Sequence, residues 1–180
     1  LYDDSSVRFE ITVLNACKIS GAETSGGKAS GGETSGTVRL AVLERGVEIG
    51  QAEITVRQEK EIKQVISQEI KLDGFKPWTP DTPHLYDVII RYGEDEVRSY
   101  FGMRKLSTGR DGKGILRFFL NNKPYFFNGI LDQGYWPESL MTAPSDEALV
   151  YDIIKLKEMG YNTIRKHVKI EAERFYYHCE

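Results

Sequence analysis

Over the first hundred residues, apolar side chains recur at every second position. Val7, Phe9, Ile11 and Val13 alternate with Arg8, Glu10 and Thr12, and a period of two describes a strand with one buried and one wet face. The pattern returns in Val38, Leu40 and Val42, in Ile54 with Val56, and in Ile70 with Leu72. It returns again in Tyr86, Val88, Ile90 and Tyr92, and a last strand is expected from Val97 to Phe101. No helical periodicity intervenes before Gly102. A sheet with one apolar face must bury it against another layer. Six or seven short strands with turn signals between them therefore predict two packed antiparallel sheets. Gly93-Glu94-Asp95 is the expected tight connection between the last two strands.

The pattern corresponds to an immunoglobulin-like β-sandwich over residues 1–104. Between its first two strands lies Gly21 to Gly36, in which Glu-Thr-Ser-Gly occurs at 23–26 and again at 33–36. This stretch has too few apolar groups to offset the entropy of ordering it, and it reads as a flexible loop. Its Gly26-Gly27-Lys28 is not a phosphate-binding loop. Ala22 stands where the first glycine is required, and Ala29 stands where a hydroxyl residue would hold magnesium.

After Met103 the period changes. Residues 105–114 are basic and glycine-rich and are expected to be a linker. Leu116, Phe118 and Leu120 then alternate into Asn121-Asn122-Lys123-Pro124 and Tyr125-Phe126-Phe127, a hairpin signature. From Tyr125 to Leu131 the run is almost wholly apolar, as in a strand buried on both faces. Pro144-Ser145-Asp146-Glu147 supplies a capping hydroxyl and two acids for a helix N-terminus. Leu149, Ile153 and Leu156, widened by Val150 and Ile154, form its apolar face, and Gly160 is its natural stop. A short strand at Tyr161 to Arg165 and helical character from Glu171 to Cys179 follow. Strand, helix, strand, helix is the start of a parallel α/β unit.

Two parallel strands cannot bury both faces of a parallel sheet, so 115–180 is expected to be the truncated start of a larger domain. Periodic structure runs almost to both ends, and both ends are expected to be cuts. With 24 Lys and Arg against 27 Asp and Glu, no basic stripe marks a nucleic-acid partner, and no apolar run approaches a membrane span of ~18 residues. Cys17 and Cys179 match no metal spacing, and neither a metal nor a cofactor is expected.

Several segments match a known family in order. Trp78-Thr79-Pro80-Asp81-Thr82-Pro83-His84-Leu85-Tyr86 resembles the Trp-Ser-Pro-x-x-Pro-x-Leu-Tyr segment of family 2 glycoside hydrolases. Phe101-Gly102-Met103-Arg104 resembles the Phe-Gly-x-Arg that closes their immunoglobulin-like domain. Phe119 to Pro124 followed by Asn128-Gly129 is similar to the start of their (β/α)8 barrel. Asp152 to Arg165, with Lys155 and Met159-Gly160-Tyr161-Asn162, resembles the first barrel helix and second strand; Arg174-Phe175-Tyr176 and Cys179-Glu180 resemble the segment after it.

The resemblance implies retaining hydrolysis of a β-glycosidic bond by two glutamates about 5–5.5 Å apart. It implies a carbohydrate substrate (β-galactoside favoured over β-glucuronide or β-mannoside), with an N-terminal domain and the remaining barrel of a parent chain as partners. The acid/base of the family directly follows an Asn, and no Asn-Glu pair occurs here. No catalytic residue is therefore assigned, and the chain alone is expected to be inactive. Barrel active sites lie at the C-terminal strand ends, which are here Leu131 to Trp136 and Arg165-Lys166-His167.

The candidate substrate-binding residues are Asp132, Trp136, Arg165 and His167. The resemblance implies that Arg165 orients the nucleophile; the alternative is a structural ion pair. His167 is either a partner of sugar hydroxyls or a surface histidine. Asp132 and Trp136 are either a hydroxyl acceptor and a stacking ring, or ordinary loop residues. Asp132 to Trp136 departs from the best-known family pattern, which bears on the choice of sugar. Trp78, in its proline-rich crossing, reads as a structural corner. The competing reading is a non-catalytic carbohydrate-binding or structural β-sandwich module, which would need exposed aromatic residues on one sheet face. The polar faces of strands 7–13 and 38–42 offer none.

Overall fold

The structure, a computed structural model, describes residues 1–14, 35–57 and 63–180. The loop expected at 21–36 and Cys17 lie almost wholly outside the described residues. The chain packs as two compact units: Leu1–Lys76 with Leu85–Met103, and Pro77–His84 with Arg104–Glu180.

The first unit opens with a 3-10 turn at Tyr2–Asp4 and is otherwise antiparallel. Its strands are β1 (Ser6–Leu14), β2 (Ser35–Glu44), β3 (Val47–Arg57), β4 (Lys63–Lys71), β5 (Tyr86–Tyr92) and β6 (Asp95–Phe101). β1 pairs with β4, and the second sheet runs in the order β3-β2-β5-β6. The alternation expected from the sequence is the alternation seen. Val38, Leu40 and Val42 of β2 are at most 1% exposed and meet Ile11 and Val13 of β1 and Ile70 of β4 in one core. Tyr86 closes the core at 1% exposure; its ring stacks on Phe101 at 5.4 Å, and its hydroxyl accepts from Lys76 N–H at 2.7 Å. That bond lets a polar ring tip be buried without loss. The opposite face of the second sheet carries cross-strand ion pairs, Arg39–Glu53 at 2.9 Å and Arg91–Glu96 at 2.6 Å.

The hairpins follow turn chemistry. β2 and β3 are joined by Arg45-Gly46, both at positive φ (51° and 81°), the conformation that suits right-twisted two-residue hairpins. β5 and β6 are joined through Gly93, at φ 61°, as expected.

The second unit holds a three-stranded antiparallel sheet of β7 (Leu106–Arg110), β8 (Leu116–Leu120) and β9 (Lys123–Pro124). Residues 106–110, in the stretch expected to be a linker, form β7 paired along its whole length with β8. The alternation there is weak because this small sheet buries little: Leu106, Leu116 and Phe118 are exposed and only Leu120 is buried. The hairpin expected at 121–124 is present, with Asn121 and Asn122 at φ 52° and 65°. Then come β10 (Gly129–Asp132), α1 (Asp146–Glu158), β11 (Thr163–Lys166) and α2 (Glu173–Cys179). β10 and β11 are parallel, and α1 connects them.

Two further expectations are altered. The apolar run from Tyr125 is not one buried strand: β10 begins only at Gly129, it has one neighbour, and Phe126 and Leu131 are exposed at 80% and 48%. A strand is covered on both faces only when layers exist on both sides, and among the described residues one of those layers is missing. The proline-rich crossing 77–84, expected within the first domain, belongs to the second unit. Its bonds run there: Asn121 Nδ2–H donates to Trp78 O at 2.9 Å, Trp78 Nε1–H donates to Glu180 O at 3.0 Å, and Arg104 lies 4.7 Å over the Trp78 ring. Trp78 thus occupies a structural corner, as read from the sequence.

Candidate active-site wall

Two asparagines set the start of the parallel pair. Asn128 N–H donates to Asn162 Oδ1 at 2.9 Å, Asn162 N–H donates to Asn128 O at 3.0 Å, and Asn128 Nδ2–H donates to Gly160 O at 2.9 Å. These bonds enforce the register in which Leu131 lies beside Arg165 and Asp132 beside Lys166. Side chains alternate along a strand, so Asp132 and Lys166 share one face and Arg165 lies on the other.

On the Asp132 face four charged groups meet. Lys166 Nζ lies 2.6 Å from Asp132 Oδ2 and 2.7 Å from Glu171 Oε1. Lys169 Nζ lies 2.9 Å from the same Glu171 oxygen. The side chains of Lys166, Lys169 and Glu171 are only 10%, 10% and 7% exposed. Burial alone would lower Lys166, but its bonds to Asp132 and Glu171 outweigh burial and hold its pKa above the usual value. Burial likewise would raise Glu171, and the two lysines outweigh it and hold it below the usual carboxylate range. Lys166 and Glu171 are therefore both charged near neutral pH. The Lys166 ammonium also sits 4.7 Å over the buried Phe175 ring of α2.

Asp132 has no oxygen left over for an easy second task. Its Oδ1 accepts from Gly134 N–H at 2.7 Å while Oδ2 takes Lys166. His167 stands beside it: its backbone N–H donates to Asp132 O at 2.9 Å, and its ring Nδ1 lies 3.0 Å from Gln133 Nε2. The Gln133 amide nitrogen only donates, so Nδ1 accepts and Nε2 carries the proton. Trp136 lies four residues past β10 in a bridge with Leu140 (Trp136 N–H to Leu140 O 2.7 Å), and its indole Nε1 is buried without a partner among the described residues. Arg165 is exposed on the opposite face of the pair.

The structure thus brings the backbones of Asp132 and His167 together, turns the His167 ring to Gln133, and places Arg165 on the strand face opposite Asp132. The sequence reading passed over Lys169 and Glu171. Their signal was available in Lys166-His167-Val168-Lys169-Ile170-Glu171, where charged and apolar residues interleave directly past a strand end. A concavity of about 510 Å³ lies elsewhere, in the first unit, lined by Arg39, Arg91 and Tyr92 among others. Both guanidiniums there already face carboxylates, and the place is remote in sequence and element from the strand ends. Among the described residues, no three His, Cys, Asp or Glu side chains gather as a metal site requires, and no helix is long and apolar enough to cross a membrane.

Comparison with known proteins places the chain in a family. The family model for glycosyl hydrolases family 2 matches residues 3–104, more than half the chain. A β-galactosidase of Thermoanaerobacter pseudethanolicus is 29% identical over 127 residues, covering 67% of this chain and 16% of that protein. A β-galactosidase of Vibrio vulnificus is 28% identical over 122 residues, 64% of this chain and 11% of that protein. The chain therefore spans a small fraction of the length of these relatives. Among solved structures, a glycosyl hydrolase family 2 member from Bacteroides cellulosilyticus superposes with a TM-score of 0.79 at 18% identity, over 97% of this chain and 21% of that one. A β-galacturonidase from Eisenbergiella tayi bound to galacturonate gives 0.69 at 20% identity, over 94% and 27%. The match over residues 3–104, together with these relatives, identifies the chain as belonging to glycosyl hydrolases family 2.

Proposed function

We propose that this chain is a segment of a retaining β-glycosidase, with β-galactosides the favoured substrates. Residues 1–104 serve as an immunoglobulin-like spacer, and residues 115–180 form the first βαβ portion of a (β/α)8 catalytic barrel. The observation that carries the reading is the 29% identity to a β-galactosidase over 127 residues, a stretch longer than the segment matched by the family model. The parallel β10-α1-β11 unit supports it, because such units build barrels whose active sites lie at the C-terminal strand ends.

In this reading the catalytic glutamates come from later barrel strands, since no Asn-Glu pair occurs here. Arg165, on the open face of β11, orients the nucleophile carboxylate. The proton on His167 Nε2 is available to a sugar hydroxyl, and Trp136 offers its ring to an apolar sugar face. Asp132 acts through its fixed contacts to Lys166 and Gly134 rather than as a free acceptor.

The test is hydrolysis of p-nitrophenyl β-galactoside, β-galacturonide and β-glucuronide by the full-length protein, with the anomer of the first-formed product read by NMR. The expected result is hydrolysis with retention, fastest on the galactoside, and no turnover by the 180-residue chain alone. Inversion would refute the retaining mechanism, whereas no hydrolysis of any of the three alongside binding of sugar by the 180-residue chain would favour a non-catalytic binding module.

A further inference from the structure

We infer that Lys169 and Glu171 are positioning residues that fix the loop after β10, and with it Trp136, into the shape the sugar site requires. The inference rests on the glycosidase reading for its functional half.

Lys169 reaches back from the β11–α2 loop into the β10–α1 loop, where its ammonium donates to Gly134 O at 3.0 Å and to Met141 O at 2.5 Å. One buried cation therefore holds both ends of the segment that carries Trp136. Glu171 in turn pairs with both Lys169 and Lys166, at 2.9 and 2.7 Å. Lys166 binds Asp132, whose other oxygen holds Gly134 N–H at 2.7 Å. Gly134 is thus gripped at both its N–H and its C=O.

The backbone shows what this arrangement requires. Gly134 sits at φ 66°, and a Cβ there would meet Glu171 Oε1 at 2.2 Å. Val168, next to Lys169, is held at φ 58°, a left-handed conformation that a β-branched residue adopts only when its surroundings enforce it. Strain retained beside a buried charge cluster at a strand end marks a loop whose shape is fixed for a purpose.

The test combines hydrogen-deuterium exchange with kinetics on the full-length protein. Glu171→Gln removes the carboxylate charge, Lys169→Met removes the strut, Lys169→Arg keeps a cation, and Gly134→Ala keeps every charge but crowds Glu171. The expected result is faster exchange confined to peptides covering 133–142, with α1 peptides unchanged, in all variants except Lys169→Arg. KM should rise about tenfold while kcat stays within about twofold, the signature of a lost binding contact made equally in ground and transition state, as a displaced Trp136 ring would give. Unchanged exchange at 133–142, or acceleration spread equally over α1, overturns the inference, as does a loosened loop with an unchanged KM. A full-length protein that hydrolyses no glycoside refutes the glycosidase reading instead, and the exchange data alone then decide whether these two residues fix the loop.

Discussion

Leu40 stands at the centre of β2 with 1% of its surface exposed, between Val38 and Val42, which are fully buried. Leu40→Ala should lower stability by about 2–5 kcal/mol, because a close-packed core refills such a gap only partly; a urea denaturation midpoint reads this directly. Asp146 acts through charge. Hydrogen bonds from Arg174 and His178 hold its carboxyl at about 2, well below the usual carboxylate range; Arg174 Nε is 3.0 Å and His178 Nε2 3.1 Å away. A carboxylate depressed on folding contributes above its unfolded pKa and ceases to contribute as pH falls through its folded value. The stability difference between the wild type and Asp146→Asn should therefore be constant above about pH 4 and vanish toward about pH 2, as thermal melts across that range will show. An equal difference at pH 2 would exclude Asp146 as the cause.

At the scale of elements, α1 is the most fully specified. Ser145 Oγ accepts from Ala148 N–H at 3.2 Å, and the helix ends with Tyr161 N–H to Leu156 O and Gly160 N–H to Lys157 O, both 3.0 Å, with Gly160 at φ 87°. This is the paired closure of a left-handed glycine stop. Ser145→Ala should cost about 1 kcal/mol. The β8–β9 hairpin depends on two successive asparagines in left-handed conformation, so Asn122→Val should destabilise by about 1–2 kcal/mol while Asn122→Gly should be neutral or slightly stabilising. Chemical denaturation of the three variants checks both statements, and a Val variant as stable as wild type would sink the second.

These elements were legible because each carries its instruction locally. Alternation named β1, β2 and β5, and a serine with two acids named the start of α1. β7 was hidden because its sheet buries almost nothing, leaving glycine and basic residues to suggest a linker. The candidate wall was half legible. Arg165, Asp132, His167 and Trp136 stood out as strand-end residues, but which face each occupies depends on a register that asparagines at the far end of the strands decide. The interleaving at 166–171 marks Lys169 and Glu171, but they meet Gly134 only through tertiary folding, which that pattern does not announce.

For the molecule as a whole, the second unit leaves Phe126, Leu131, Leu140, Met141, Val168 and Ile170 exposed, and β10 and β11 each have an unpaired edge among the described residues. Apolar surface beside open strand edges is a template for association. The 180-residue chain should self-associate with rising concentration in sedimentation velocity, whereas Leu131→Lys with Ile170→Lys should shift it toward monomer. A wild-type chain that stays monomeric at high concentration would refute this.

The crossing at 77–84 has a further consequence. The backbone leaves the first unit at Lys76, spends eight residues in the second, and returns at Leu85 before departing again after Met103. The boundary is thus crossed three times, at 76/77, 84/85 and 103/104. A protease that nicks any one of these junctions cannot release either unit from the other, because two covalent tethers survive. Neither unit can be lifted out by a single genetic cut without taking part of its neighbour. An intact second unit can be transplanted only if residues 77–84 travel with 104–180.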